Sequence, residues 1–510
     1  MKYLIVFADG TWNTPDQEDN GVPAPTNVVK LKNCLAQTAS KGGHAIEQRI
    51  YYHTGVGTEG GILARTAGGA WGAGLDKNIK SAYHWLARNY QPDDHIFLFG
   101  FSRGAYTVRS LGGLLAVCGL PDLSDTDVTT GWQRVKVAYQ QGYREKKPRT
   151  EWAEDWPFHH KKQAPVRFIG VWDTVGALGI PDDLALLNLF DAEEKWRFHN
   201  TTLGDNVEMA RHAIALDERR ASFTPTLWTK IKPDANVVQR WFPGVHSDVG
   251  GGYGEAGLSD IALKWMIDEA KGAGLSFESA MVSQIQPNPC AMMHDSMKGL
   301  FKTQRSRPRN TPPIPDPNNQ IDDSAIQRHQ TPPITQAPYR PTRVLAEDDS
   351  VTVDIFAREH WNVTGLWLAP GKYQLNGAGE WLDRSIPSGP KGASDGDFHL
   401  GELAHIIGSG FGWVEQGLQK LLGNDSADLK FTKRHEQWDW FALIGVVGNS
   451  DRKPSSDGSP PPHQTFLIGN QCTLNLKRPG YLYAYANDAW DFYGNNKGSV
   501  QLTVKCLSLS

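Results

Sequence analysis

The chain has 510 residues, of which 39% are hydrophobic and 10% aromatic, and its formal net charge is -4. That length predicts two domains, or three, with ample material for buried cores. The near-neutral balance gives no basis for nucleic-acid binding or bulk attraction to anionic membranes, and no apolar run approaches the roughly 18 residues that span a bilayer.

Met1 to Phe7 is apolar but short, and Asp9 ends it, so it reads as a first strand rather than a secretory signal. Gln48 to Tyr52 is a weaker strand, and Leu75 to Tyr90 has helical spacing. His95 to Phe99 is a strand and Arg103 to Val117 a helix. Residues 119–164 form a polar, Trp-rich insertion with helical stretches and no strand signal, a candidate cap over an active site. Val166 to Trp172 is a strand, Val207 to Asp217 a helix, Val237 to Phe242 a strand and Leu258 to Lys271 a helix. Strands alternating with helices predict an α/β fold with a mostly parallel sheet over residues 1–301. Nine prolines between residues 302 and 345 predict an extended linker. From 346 to 510 the pattern changes to strands punctuated by Gly and Asn: Val351–Ile355, Gly371–Leu375, Phe441–Val447, Gly480–Ala486 and Ser499–Cys506. That is the pattern of an all-β sandwich, with a helical insertion at Gly401–Leu422.

The five cysteines (Cys34, Cys118, Cys290, Cys472, Cys506) are odd in number and lack metal-type spacing, which fits reduced thiols in a protein made in the cytosol. The 18 tryptophans are spread along the chain and read mainly as core. Gly55-Val56-Gly57-Thr58-Glu59-Gly60 matches a dinucleotide fingerprint by letter only. More glycines follow it instead of a helix, so it reads as a loop.

One motif carries chemistry. Gly100-Phe101-Ser102-Arg103-Gly104 lies between a strand and a helix, the context in which a sharp turn exposes a nucleophilic serine. An acid and a histidine should follow in that order. Asp173 ends the strand Val166–Trp172, with Asp217 and Asp248 as competitors, and His246 follows the strand ending at Phe242 in a glycine-rich loop. Oxyanion donors should be the Arg103 amide and one from the loop after the first strand, at Gly10 or Thr11. For Asp9, Trp12 and Asn13 the plainer reading is a loop held by side-chain hydrogen bonds. None of this needs a cofactor for catalysis.

Phe7–Asn13, Tyr52–Thr58, Gly100–Arg109, Gly170–Gly176, Ala215–Arg220 and His246–Tyr253, in this order, resemble the α/β-hydrolase domain shared by the first family of type VI secretion lipase effectors. The resemblance covers about residues 1–300. It implies a phospholipase delivered into the periplasm of rival bacteria, with Ser102, Asp173 and His246 as its triad. It also implies secretion-machinery and immunity-protein partners. Residues 351–510 resemble the small calcium-dependent galactophilic lectin of bacteria. Asn487 to Asn496 packs carboxylate and amide oxygens into one loop, which suits Ca²⁺ but also an ordinary Asx-rich turn. The resemblance places Ca²⁺ on Asp488, Asn495 and Asn496, with carbonyls of Phe492 and Leu368, and implies a galactose-type glycan as partner. The sequence departs from the lectin's pattern at the lectin's sugar-contacting His and Gln.

The leading expectation is therefore a phospholipase A-type antibacterial effector. The alternatives are a carbohydrate or small-ester esterase targeted by a lectin-like module, and a lectin or adhesin with an inactive hydrolase scaffold.

Overall fold

The computed structural model describes all residues except 11–12, 56–68, 176–202, 230, 299–300, 302–303, 384–385, 394–432 and 450–461. Thr11, most of the Gly55–Gly60 stretch and the insertion expected at 401–422 thus lie outside the described residues.

The N-terminal half is built on a seven-stranded sheet. Its strands are β1 (Tyr3–Ala8), β2 (Thr38–Lys41), β3 (His44–His53), β4 (His95–Phe101), β5 (Val166–Trp172), β6 (Val207–Ala215) and β7 (Asn236–Phe242), in the order β7-β6-β5-β4-β1-β3-β2. Every pairing is parallel except β2 with β3. β1 is buried along its whole length because helices cover both faces. On one face α2 (Gly69–Asn89) and α3 (Arg103–Cys118) contribute Tyr83, Leu86, Leu111 and Leu115; on the other, α1 (Asn27–Cys34) and α6 (Gly257–Gly272) contribute Leu31, Leu263 and Met266. Among the described residues, the shorter α-helices α4 (Val128–Val137) and α5 (His246–Gly250) lie between α3 and α6 in the chain.

The helix expected over Val207–Asp217 is corrected: this segment is β6, paired with β5 and β7. A strand buried on both faces need not alternate, so its apolar spacing imitates a helix. Residues 119–164 contain helical stretches as expected, but Leu120–Pro121 pairs with Phe158–His160. This insertion packs on α3, with Tyr143 against Gly113 and the Cys118 thiol donating to Ala138 O.

The stretch expected to be a proline linker contains α7 (Asp323–Gln330) and buries Ile314, Ile321, Ala325 and Tyr339 against Ile214, Leu216 and Trp241. Its anchors are too far apart to form a periodic pattern, and backbone bonds from Trp241 N to Gln320 O and from Asp322 N to Trp241 O tie it to the edge strand.

Among the described residues the C-terminal part forms two antiparallel sheets. β8 (Ser350–Phe356), β9 (Asn362–Leu368), β10 (Gly371–Asp383), β11 (Ile386–Ser388), β12 (Leu443–Asn449), β13 (Gln464–Leu467), β14 (Gln471–Leu476), β15 (Gly480–Ala486) and β16 (Asn496–Leu509) divide between them. One sheet runs β8-β16-β10-β11 with β14 also on β10, and the other runs β9-β15-β12-β13. They share a core that includes Leu375, Trp381, Leu443, Leu482 and Leu502.

Candidate active site

In a parallel sheet the loops after the strands gather at one edge, where open α/β sheets hold their ligands. Here that edge collects Asp9 after β1, Ser102 after β4, Asp173 after β5, Asp217 and Glu218 after β6, and His246 after β7.

Ser102 sits in the turn from β4 to α3 at φ 56°, ψ -121°. A non-glycine residue held there is strained, and the surroundings must enforce it. They do so through contact. A Cβ on Gly100 would strike the carbonyl of Gly104, and one on Gly104 would collide with the backbone of Ala8 and Asp9. The two glycines let α3 start directly against β1. Ser102 is buried, and its amide donates to Trp172 O at 3.0 Å.

Asp173 follows Trp172 at φ 35°. Its Oδ2 meets His246 Nδ1 at 2.6 Å, and its Oδ1 accepts the Ala215 amide at 2.9 Å. Both side chains are buried. The His246 ring lies 4.6 Å from that of Phe101, the neighbour of Ser102, and edge-on to Phe223 at 4.9 Å. The structure therefore brings all three predicted residues to one sheet edge and joins two of them directly. Burial pushes the His246 pKa down, while the Asp173 bond opposes that shift. Burial disfavours the Asp173 charge, but Arg309 and His246 outweigh it and hold the carboxyl well below the usual range.

The competing acids are engaged elsewhere. Asp217 accepts from Gly244 N, Tyr339 Oη and Arg340, and Asp248 accepts from Val245 N and pairs with His294 Nδ1 at 2.6 Å.

Of the oxyanion candidates, Arg103 opens α3 directly after Ser102. Gly10 is corrected. Its backbone lies close to Ser102, but its N–H donates to Asp9 Oδ1 at 2.8 Å. Asp9 also accepts from Thr26 Oγ1 and Tyr52 Oη, and burial pushes its pKa up to about 6 against these bonds. The reading of a loop fixed by side-chain bonds therefore holds at Asp9.

At this edge sequence reasoning missed two groups, Glu218 and Arg309. Glu218 accepts from the amides of Arg219, Arg220 and His246, from the Arg220 guanidinium and from Ser296 Oγ. Burial opposes its charge, but Arg220 lowers its pKa to about 2. The second is Arg309, whose guanidinium grips both Asp173 oxygens, at 2.6 and 2.9 Å. Arg309 follows Arg305 and Arg307 in a proline-containing stretch, and nothing local sets it apart from them.

The cation candidates lie where β15 leads into β16. Asp488 Oδ1 accepts the Ala489 amide, and its Oδ2 accepts Asn496 Nδ2 at 2.8 Å. Asn495 Nδ2 donates to Asp383 Oδ1 at 3.0 Å. The amide oxygens of Asn495 and Asn496 are buried and have no hydrogen-bond donor. Phe492 lies in the 3₁₀ turn Trp490–Asn495 that joins these residues. Orphaned buried oxygens beside two carboxylates suit a hard cation. Burial and the nearby Asp383 charge push the Asp488 pKa up to about 7, against its hydrogen bonds. Leu368 is corrected. It pairs with Gly480, at the end of β15 remote from Asp488, and at about 3.3 Å per residue its carbonyl is far out of reach. Asp383, opposite Asn496 in the β10–β16 ladder, is the acid that sequence reasoning missed.

Among the described residues no helix is long and apolar enough to cross a membrane.

The family described as "T6SS, Phospholipase effector Tle1-like, catalytic domain" matches residues 2–269, just over half of the 510. The uncharacterized protein YEL023C of Saccharomyces cerevisiae is 30% identical over 246 residues, 45% of this chain and 33% of the yeast protein. The chain thus spans about a third of the length of that curated relative. Among solved structures, an uncharacterized protein from Pseudomonas aeruginosa aligns at 18% identity and TM-score 0.35, covering 56% of this chain and 49% of that one. The Tle1 effector bound to the VgrG spike of the type VI secretion system aligns at 20% identity and TM-score 0.28, covering 49% and 51%. The EclA N-terminal domain, a PllA-like lectin, aligns at 15% identity and TM-score 0.17, covering 31% and 94%.

Proposed function

Because the chain belongs to the Tle1-like family of type VI secretion phospholipase effectors through its catalytic domain, we propose that it is a serine hydrolase that cleaves acyl esters of membrane phospholipids with Ser102, His246 and Asp173. The observation that carries this reading is the buried 2.6 Å contact of Asp173 Oδ2 with His246 Nδ1, at the same edge as a serine held at φ 56°.

Asp173 fixes the imidazole with its Nδ1 proton inward, which leaves Nε2 as the base. Ser102 Oγ attacks the ester carbonyl and gives its proton to Nε2. The imidazolium returns that proton to the leaving lysophospholipid oxygen, and water then releases the acyl group by the same route. The depressed His246 pKa keeps the imidazole neutral at physiological pH, ready to accept a proton. The Arg103 amide is the oxyanion donor in this scheme.

Defined phospholipid vesicles test the reading. Each turnover should yield one fatty acid and one lysophospholipid, and a fluorophosphonate that abolishes release should map to Ser102. Diacylglycerol or phosphatidic acid as product, or no release, overturns it.

For the C-terminal sheets the proposal is a docking module that holds Ca²⁺ through Asp488, Asn495 and Asn496, with the carbonyl of Phe492. When bound, the ion would supply positive charge to the Asn495 and Asn496 amide oxygens, which no donor satisfies. A galactose-type glycan on the target surface is its proposed ligand. The proposed route is type VI delivery into a rival's periplasm, with a VgrG-type spike and an immunity protein as partners. Chelation tests the ion. Binding at a hundred times Kd contributes about 2.7 kcal/mol, so removal should lower the melting transition of these sheets by roughly 5–10 °C. An unchanged transition excludes the site.

A further inference from the structure

We propose that Arg309 is a positioning residue for the Asp173–His246 pair, delivered into the active site by a segment that the C-terminal sheets hold in place, so that those sheets complete the catalytic machinery. The proposal rests on the hydrolase reading above.

Arg309 lies beyond the family-matched residues 2–269. Its Nη1 donates to Asp173 Oδ1 at 2.6 Å and to Ala215 O at 2.7 Å; its Nη2 donates to Asp173 Oδ2 at 2.9 Å and to Phe223 O at 2.5 Å. The ion pair is buried, with 4% of the arginine side chain and none of the carboxylate exposed. A two-pronged grip of this kind fixes the carboxylate plane as well as its charge. Asp173 Oδ2 is shared between Arg309 and His246 Nδ1. Any swing of Arg309 therefore turns the oxygen that orients the base.

The chain around Arg309 is held on both sides by the C-terminal sheets. Three residues before it, Ser306 O accepts from Trp361 Nε1 at 3.0 Å. Five residues after it, Ile314 N donates to Tyr481 Oη at 3.2 Å. The same tyrosine oxygen meets Thr342 Oγ1 at 2.6 Å, and the Arg340 guanidinium that binds Asp217 sits over the Tyr481 ring. Trp361 and Tyr481 thus brace the short strap that carries Arg309.

The charge has a second consequence. The groups facing His246 are Asp173, Glu218 and Arg220, with Arg309 behind Asp173; Asp248 lies two residues along, paired with His294. His212 lies behind Asp173, where burial brings its pKa down to about 3 and keeps it neutral. Removing the Arg309 charge leaves two carboxylates near the imidazole against one guanidinium. The imidazolium is then favoured, and its pKa rises.

The test uses the full chain with Arg309→Gln, Arg309→Lys and the double variant Trp361→Phe/Tyr481→Phe. The readout is the pH dependence of fluorophosphonate labelling at Ser102, alongside lipid hydrolysis and the melting curve. Arg309→Gln should move the acid limb up by about one pH unit and lower the plateau rate roughly 10- to 100-fold. Arg309→Lys should keep the limb near its wild-type position but lower the plateau, because an ammonium carries the charge without the fork. The double variant, which touches nothing in the triad, should shift the limb and plateau in the same directions as Arg309→Gln. If Arg309→Gln does not fold, the double variant alone decides. Folded variants with unchanged limb and plateau overturn the proposal. A wild type that labels at Ser102 but does not cleave phospholipid refutes the substrate assignment only. A wild type that does not label refutes the hydrolase reading itself.

Discussion

Replacing Ser102 with alanine lowers kcat for acyl release by ~10⁴-fold or more, with little change in stability or in vesicle binding. Deleting Oγ removes the only nucleophile the turn presents, and the remaining Asp173–His246 pair has no serine proton to accept. Alanine meets the same strain at φ 56° that serine does, so the turn keeps its shape. The loss appears in kcat because the hydroxyl bonds to the substrate carbon only in the transition state and beyond it. Single-turnover fatty-acid release and a melting curve separate the two effects. Activity within tenfold of wild type would mean that another group attacks the ester. Loss accompanied by a large drop in melting temperature would make Ser102 a structural residue of the turn.

What the sequence revealed and what it hid divides along local and non-local lines. That Ser102, Asp173 and His246 come to one edge was legible because an apolar strand ends shortly before each of them, and a parallel sheet puts strand ends on one edge. The turn glycines were legible because only small residues let α3 start against β1. β6 was misread because the apolar face of a doubly buried strand mimics helical spacing. Gly10 failed for a local but subtle reason: the carboxylate beside it, Asp9, takes its N–H. Leu368 rested on the lectin resemblance alone, and its pairing with Gly480 puts it at the end of β15 remote from Asp488. Asp383 and Arg309 were invisible. Asp383 meets Asn496 only through cross-strand pairing, and Arg309 finds Asp173 across 136 residues of sequence. No periodicity or local motif encodes such a meeting.

Asp173→Asn yields a drop in kcat of ~10⁴-fold together with a loss of stability. The two effects have separate origins. An amide can turn its NH₂ toward His246 Nδ1, which favours the tautomer with the proton on Nε2 and leaves no base for Ser102. The stability loss comes from Arg309. Its guanidinium is buried and finds its paired counter-charge in Asp173; opposite a neutral amide it is a buried cation with only the Glu218 charge, unbonded to it, to offset it, at a cost of roughly 3–5 kcal/mol. The carbonyls of Ala215 and Phe223 still accept from it, which places the loss toward the lower figure. Adding Arg309→Gln to Asp173→Asn should recover most of the stability and none of the activity. That opposite response is the signature of coupled residues with distinct tasks. If the double variant melts no higher than Asp173→Asn alone, the Arg309–Asp173 charge pairing does not carry the stability. If Asp173→Asn retains more than about a tenth of wild-type kcat, the 2.6 Å contact with His246 is not what orients the base.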